Sequence, residues 1–234
     1  MTKDDRKLPS RATTGEIDAF LKKVAAVQAP RPEGRGRLLF AMDATASREP
    51  TWDRACHIQG EMFEATAALG GLEVQLVYYR GFGEFRRTKW LMSSADLVGS
   101  MTGVFCLGGQ TQIAKVLRHA IAETKRKKVN ALVFVGDCME EDIDHLCSLA
   151  GELGLLGVPA FIFHEGDEPL AARAFRHIAR LTNGACCRFD ASSAQQLKEL
   201  LGAVAVFAAG GRRALENYSK RTGGQVLQIA HQVK

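Results

Sequence analysis

No stretch of the 234-residue chain approaches the ~18 consecutive apolar residues of a membrane-spanning helix, so none is expected. The opening residues Met1 to Lys7 are followed by no apolar run, which predicts no secretory leader and a cytoplasmic location. The six cysteines (Cys56, Cys106, Cys138, Cys147, Cys186, Cys187) form no CxxC pair and no zinc-finger spacing, which predicts reduced thiols. A disulfide between the neighbours Cys186 and Cys187 would be strained, so two free thiols on a strand are expected. Cys138, His145 and Cys147 do not match a known zinc spacing, and no HExxH motif occurs. The loop Gly108-Gly109-Gln110-Thr111 could receive a phosphate on its amides but lacks the lysine of a nucleotide-binding P-loop. No internal repeat is present.

Apolar residues make up 46% of the chain and charged residues 24%, a balance that excludes wholesale disorder. The net charge of +5 invites a nucleic-acid reading until it is located. Residues 1–37 hold nine Lys/Arg and five Asp/Glu, giving +4, and residues 211–234 hold five Lys/Arg and one Glu, again +4. Residues 38–210 hold 17 basic and 20 acidic residues, giving −3, which disfavours a nucleic-acid-binding core and leaves basic ends as secondary contacts.

Thr13 to Glu16 reads as a capping box, followed by apolar residues at helical spacing over 14–28. A Pro/Gly-rich linker follows over 29–36. From there short apolar strands alternate with helices. Strands are expected at Arg37–Met42, Glu73–Arg80, Glu84–Leu91, Ala131–Gly136, Val158–His164 and Ala185–Asp190. Helices are expected at Thr51–Leu69, Ser93–Met101, Thr111–Lys128, Glu140–Leu153, Glu168–Leu181 and Ser192–Phe207. The basic run Lys125–Lys128 reads as favourable charge at a helix C-terminus, and Glu140-Glu141-Asp142 as acids in a first helical turn. The glycine-bearing link Gly81-Phe82-Gly83 makes the second and third strands an antiparallel hairpin. The expected architecture is α/β: a doubly wound, mostly parallel sheet with one antiparallel edge strand and helices on both faces. The domain spans 37–208, between the helix and linker of 1–36 and a basic tail over 209–234.

In such folds the site lies beyond the carboxyl ends of the strands, where strand order reverses. The first strand ends in Asp43-Ala44-Thr45-Ala46-Ser47, a carboxylate and two hydroxyls at alternating positions that point one way in an extended segment. The fourth strand ends in Asp137, and Thr111 brings a further hydroxyl just before a helix. Hard oxygen donors of this kind suit Mg²⁺ or Mn²⁺. Each residue also has a plain alternative: Asp43 and Ser47 as caps for the helix near Thr51, with Glu49 and Asp53 placed near that helix start, and Asp137 as the cap for the helix near Glu140.

Leu39–Ser47 resembles the DxSxS motif of von Willebrand factor A (VWA) domains. Gly109-Gln110-Thr111 is similar to that family's threonine loop, and Phe134–Asp137 to its second aspartate. The order of elements is also similar, over roughly 36–208. The resemblance implies a metal-ion-dependent adhesion site (MIDAS). Thr45 and Ser47 would bind Mg²⁺ directly, Thr111 directly or through water, and Asp43 and Asp137 mainly through water and hydroxyls. A carboxylate from a partner protein would complete the shell. It implies binding rather than turnover, and bacterial-type intracellular relatives often work beside AAA+ ATPases of the MoxR type. Two departures from the motif stand out: Thr45 replaces the first serine, its methyl group restricting the side chain, and Cys138 replaces a common glycine.

Two other classes remain open. A Mg²⁺-dependent phosphohydrolase of the haloacid dehalogenase class also places an aspartate after a first strand and uses a late Gly-Asp pair. It needs a second acid two residues after the first, where this chain has Thr45. An interaction protein with a degenerate metal site would rely instead on its N-terminal helix and its tail, where Val226–Ala230 could dock on a sheet edge.

Overall fold

The computed structural model describes residues 35–48, 71–189 and 201–210, together with the isolated positions Gly15, Glu199, Ala214, Asn217 and Tyr218. The expected helices over 14–28 (apart from Gly15) and Thr51–Leu69, the expected helix Ser192–Phe207 up to residue 200 (apart from Glu199), the linker before Arg35, residues Glu49 and Asp53, and the tail after 218 lie outside the described residues.

β1 (Gly36–Asp43) is buried along its whole length. Such a strand must be covered on both faces, and its sequence of continuous apolar residues meets that need. β1 pairs in parallel with β2 (Leu72–Arg80) on one side and with β4 (Ala131–Gly136) on the other. β5 (Ala160–Glu165) and β6 (Ala185–Phe189) extend the sheet beyond β4, also in parallel. β3 (Glu84–Arg87) closes the other edge, antiparallel to β2. The order is β3-β2-β1-β4-β5-β6, so strand order reverses between β1 and β4.

The side chains of the sheet divide by parity. Leu38, Phe40 and Met42 of β1 join a core with Leu97 and Met101 of α1 (Ser94–Thr102) and with helical residues of 201–210. Leu39 and Ala41 point the other way, into a core with α2 (Ile113–Arg126), α3 (Ile143–Leu155) and α4 (Pro169–Leu181). Helices therefore cover both faces. Asp43 shares the parity of Leu39 and Ala41, which sends its carboxylate to the α2 side of the sheet. On β6 the side chains of Cys186 and Cys187 face opposite cores.

Several boundaries shift from those expected, the last helix running on to Gly210, and three of the shifts have a clear local reason. β3 stops at Arg87 instead of Leu91, because Thr88 turns its hydroxyl inward and Oγ1 accepts the Leu76 amide at 3.1 Å. Pairing resumes at the single bridge Val74↔Leu91, offset by one residue from Val77↔Arg87, as in a bulge. α2 starts at Ile113, since Thr111 is held by another loop. α3 starts at Ile143 with Asp142 as its cap, the carboxylate accepting the His145 amide at 2.7 Å. Glu140 and Glu141 therefore do not lie in the first turn of that helix, and Asp137 does not cap it.

The basic run at the end of α2 is absorbed by the fold. Lys125 pairs with Glu152, Arg126 with Glu123, and Lys127 with Glu73. Lys128 donates to the carbonyls of Leu156 and Gly157 at the end of α3. At the same end of the sheet Arg37, 5% exposed, lies 3.7 Å from the Trp90 ring centroid and pairs with Glu73 and Glu123. The Trp90 indole also donates to Glu123, at 3.0 Å.

Candidate metal and partner-binding site

β1 and β4 are neighbours, so their carboxyl ends bring Asp43 and Asp137 together at the reversal point of the sheet. Asp43 is fully buried. Its Oδ1 accepts the Thr45 amide at 2.7 Å, which curls the chain over the strand end. Its Oδ2 accepts the Tyr79 hydroxyl at 2.9 Å. Tyr79 is the register partner of Asp43 on β2, itself fully buried and stacked on Phe134. Burial raises the Asp43 pKa, the hydrogen bonds from Thr45 and Tyr79 pull it back, and the nearby charge of Asp137 pushes it up again.

Thr45 and Ser47 follow on the curl, with Ser47 in a short 3-10 turn (Ala46–Arg48). Their hydroxyl oxygens stand 3.1 Å apart, Thr45 buried and Ser47 exposed. The threonine methyl group therefore does not separate the two hydroxyls. The next residue, Arg48, is buried and reaches Glu165 at the end of β5, with Nη1 3.0 Å from Oε2.

Thr111 arrives on the loop between α1 and α2. That loop is pinned to the strand ends: the Leu107 amide donates to the Ala44 carbonyl at 3.1 Å, and the Gln110 amide to the Gly81 carbonyl at 3.3 Å. The approach is close enough that a Cβ on Gly109 would lie 2.0 Å from the Gly81 oxygen, so this position requires glycine. Thr111 is tied in turn to the loop after Asp137. Its amide donates to Glu140 Oε2 at 3.0 Å, and its Oγ1 accepts the Glu140 amide at 3.1 Å. Glu141 then caps α2 from outside, its two oxygens accepting the amides of Ile113 (2.5 Å) and Ala114 (2.9 Å).

Asp137 is partly exposed, yet its Oδ1 is buried without a hydrogen-bond partner among the described residues. Its carbonyl accepts His164 Nε2 at 3.2 Å. Burial lowers the His164 pKa, and the hydrogen bond to the Asp137 carbonyl opposes it. Burial raises that of the Cys138 thiol, which keeps a soft donor protonated beside a hard-oxygen site. The imagined zinc set is not assembled: among the described residues no three His, Cys, Asp or Glu side chains cluster for a metal, and His145 instead contacts Arg118.

Of the five sequence-derived site residues, Asp43, Thr45 and Ser47 form one connected group. Asp137 is close enough to Asp43 to affect its protonation, and Thr111 is fastened to the Asp137 loop. Two carboxylates, one of them with an orphaned oxygen, and three hydroxyls are donor types that fit a hard divalent cation. Sequence reasoning missed Tyr79, and placed Glu140 and Glu141 in the first turn of α3, where neither lies. Strand alternation could have placed Tyr79 beside Asp43 once the register was known. Nothing local signals that Glu141 caps a helix remote in sequence.

A six-stranded, mostly parallel sheet in this order, with an antiparallel edge and helices on both faces, is the VWA fold. Three similar solved structures carry the comparison. The VWA domain of SpRpn10 superposes with a TM-score of 0.55 at 13% identity, over 67% of this chain and 87% of that one. A von Willebrand factor type A protein from Catenulispora acidiphila gives 0.58 at 17% identity, over 74% and 43%. The pilus adhesin SpaC from Lactobacillus rhamnosus GG gives 0.56 at 11%, over 82% and 31%, so the chain spans less than half of these last two. No protein-family model matches the sequence, and no curated protein does.

Proposed function

We propose that this chain is a protein-binding module in which Asp43, Thr45, Ser47, Thr111 and Asp137 take Mg²⁺ or Mn²⁺ and use it to recognise an acidic residue of a partner protein. The observation that carries this reading is the buried Asp137 Oδ1, which has no hydrogen-bond partner among the described residues and lies near a second, fully buried carboxylate. An unmet acceptor at that position costs about 1–3 kcal/mol unless something satisfies it, and a cation or its bound water does so. The bound ion would supply the positive focus that draws a partner carboxylate to an otherwise acidic strand end. The residues of this chain do the rest. Thr45, Ser47 and Thr111 present hydroxyls, Tyr79 and the Thr45 amide hold Asp43 in place, and the Glu140 tether keeps Thr111 beside the Asp137 loop.

The module acts by binding rather than turnover: Thr45 occupies the position where a phosphohydrolase would need its general acid. The VWA resemblance favours a cytoplasmic adaptor role, with an AAA+ ATPase of the MoxR type as the partner class. A second reading is an interaction module that needs no ion. It draws on Asp43, both of whose oxygens are already engaged.

Titration of the full chain with Mg²⁺ and Mn²⁺, followed by calorimetry and thermal unfolding, separates the readings. The metal reading expects saturable heat and a rise in unfolding temperature, both lost in Asp137→Ala. No response in the wild type, or an equal response in Asp43→Ala, rejects it. Partner capture with and without chelator then shows whether the ion serves recognition.

A further inference from the structure

We propose that the sheet end beside Asp43 carries a second contact area, an apolar patch of Phe82, Phe105 and Leu107 flanked by Arg80, Arg86 and Lys115, which docks an acidic peptide segment bearing large apolar residues. The proposal deepens the protein-binding reading above and shares its premise that this end faces a partner.

Phe82 is 86% exposed, Phe105 60% and Leu107 38%. Folded domains expose single apolar side chains freely, but a group of this size at a functional edge marks an interface. These three are joined by backbone. Phe82 follows Gly81, whose amide donates to the Leu107 carbonyl at 3.4 Å, and Phe105 stands two residues before Leu107. Arg80 stiffens the patch, its guanidinium 4.1 Å from the Phe105 ring centroid and donating to the Phe105 carbonyl at 2.8 Å. The Leu107 amide binds the carbonyl of Ala44, the residue between Asp43 and Thr45, so the patch adjoins the candidate metal site.

Charge selects the occupant. Arg80, Arg86 and Lys115 stand at these loops, with Glu84 as the acid that Arg80 and Arg86 contact, in a domain that is net acidic. Arg80 and Arg86 share the same Glu84 oxygen, each at 3.0 Å. The Lys115 ammonium binds the Gly83 carbonyl and the Gln112 side chain, neither of which neutralises it. An acidic segment complements these cations, and with the ion bound one of its carboxylates would reach the site at Thr45 and Ser47. The two ends of this chain are each +4, so their own charge works against occupying the patch.

The test is an array of peptides about 12 residues long drawn from Asp, Glu, Leu and Phe, with controls in which Lys replaces the acids or Ser the apolar residues. Peptides selected by the full chain are then measured in solution by fluorescence polarisation. The acidic-apolar set is expected to bind above both controls. The double variant Phe82→Ser/Phe105→Ser is expected to weaken the best peptide at least about tenfold, and Lys115→Glu to weaken it in the same direction. All three side chains are exposed, and matched thermal unfolding confirms an intact fold. Chelator separates the two proposals. If chelator abolishes binding while the double variant binds like wild type, the patch is rejected and the metal reading stands. If the double variant loses binding that chelator leaves intact, the patch stands without the metal. Equal binding of the controls also overturns the proposal. So does self-association of the wild type that the double variant abolishes, since a second copy would then be the occupant.

Discussion

Glu140 and Thr111 hold each other twice, amide to carboxylate at 3.0 Å and amide to hydroxyl at 3.1 Å. Through this reciprocal pair the loop that follows β4 fastens the loop that precedes α2. Glu141 adds two further bonds from the same loop to the first amides of α2. The threonine of the candidate site is thereby positioned by the loop that carries its second aspartate, and not by its own helix.

Removing this tether should affect stability and ion binding differently. Glu141→Ala exposes two helix N-terminal amides and should cost about 1 kcal/mol in urea unfolding, with Glu141→Gln costing less because it keeps an acceptor. Glu140→Ala should lower Mg²⁺ affinity, and Glu140→Gln should restore most of it. Calorimetry on the set checks both statements.

Asp43→Asn should stabilise the ion-free protein at neutral pH, since a buried charge is replaced by an amide that can still accept from the Thr45 amide and bond the Tyr79 hydroxyl. The same substitution should remove the thermal stabilisation by Mg²⁺. Unfolding temperatures with chelator and with excess Mg²⁺ are the check.

His119 predicts a pH dependence. Its ring lies between Gln75, which it meets at 2.7 Å, and Phe85, with Glu123 and Arg87 as the charges that act on it. Burial lowers its pKa below the ordinary histidine value; Glu123 opposes this and Arg87 reinforces it. The unfolded chain therefore binds the proton more readily than the native one in that window. Its contribution to stability is complete above the unfolded pKa and is lost as pH falls through the native value. Denaturant unfolding should show this slope below about pH 6.5, and His119→Gln, which keeps a donor for Gln75, should flatten it.

The Arg37 clamp at the opposite end of the sheet should be expensive to break. Arg37→Ala leaves Glu123 buried without one of its cations and removes the guanidinium from the Trp90 face. A loss of about 3 kcal/mol is expected in chemical denaturation, with Arg37→Lys recovering part of it.

Much of this was legible in the sequence because it depends on local period and on strand ends. The continuous apolar run of β1, the glycine-flanked hairpin turn and the alternating helices specify the sheet and its antiparallel edge. Asp43, Thr45 and Ser47 are near neighbours in the chain, so their proximity is local, but the extended segment expected over them is replaced by a curl and a 3-10 turn that set the two hydroxyls 3.1 Å apart. Thr88 was less legible: the pattern from Glu84 to Leu91 reads as one strand, and the hydroxyl that interrupts it acts only against Leu76 on the partner strand.

By itself, the sequence determined the strands and helices of the described residues, the two faces of the sheet and the hydroxyl-carboxylate motif at the end of β1. Only the tertiary structure decided that Asp137 stands beside Asp43, because strand order is a choice of long-range pairing that no local pattern encodes. It also decided that Glu141 caps α2 and not α3, that Tyr79 occupies one Asp43 oxygen, and that Phe82, Phe105 and Leu107 share one exposed edge. Each of these is a contact between segments distant in the chain, made when the fold brings their backbones within hydrogen-bonding reach.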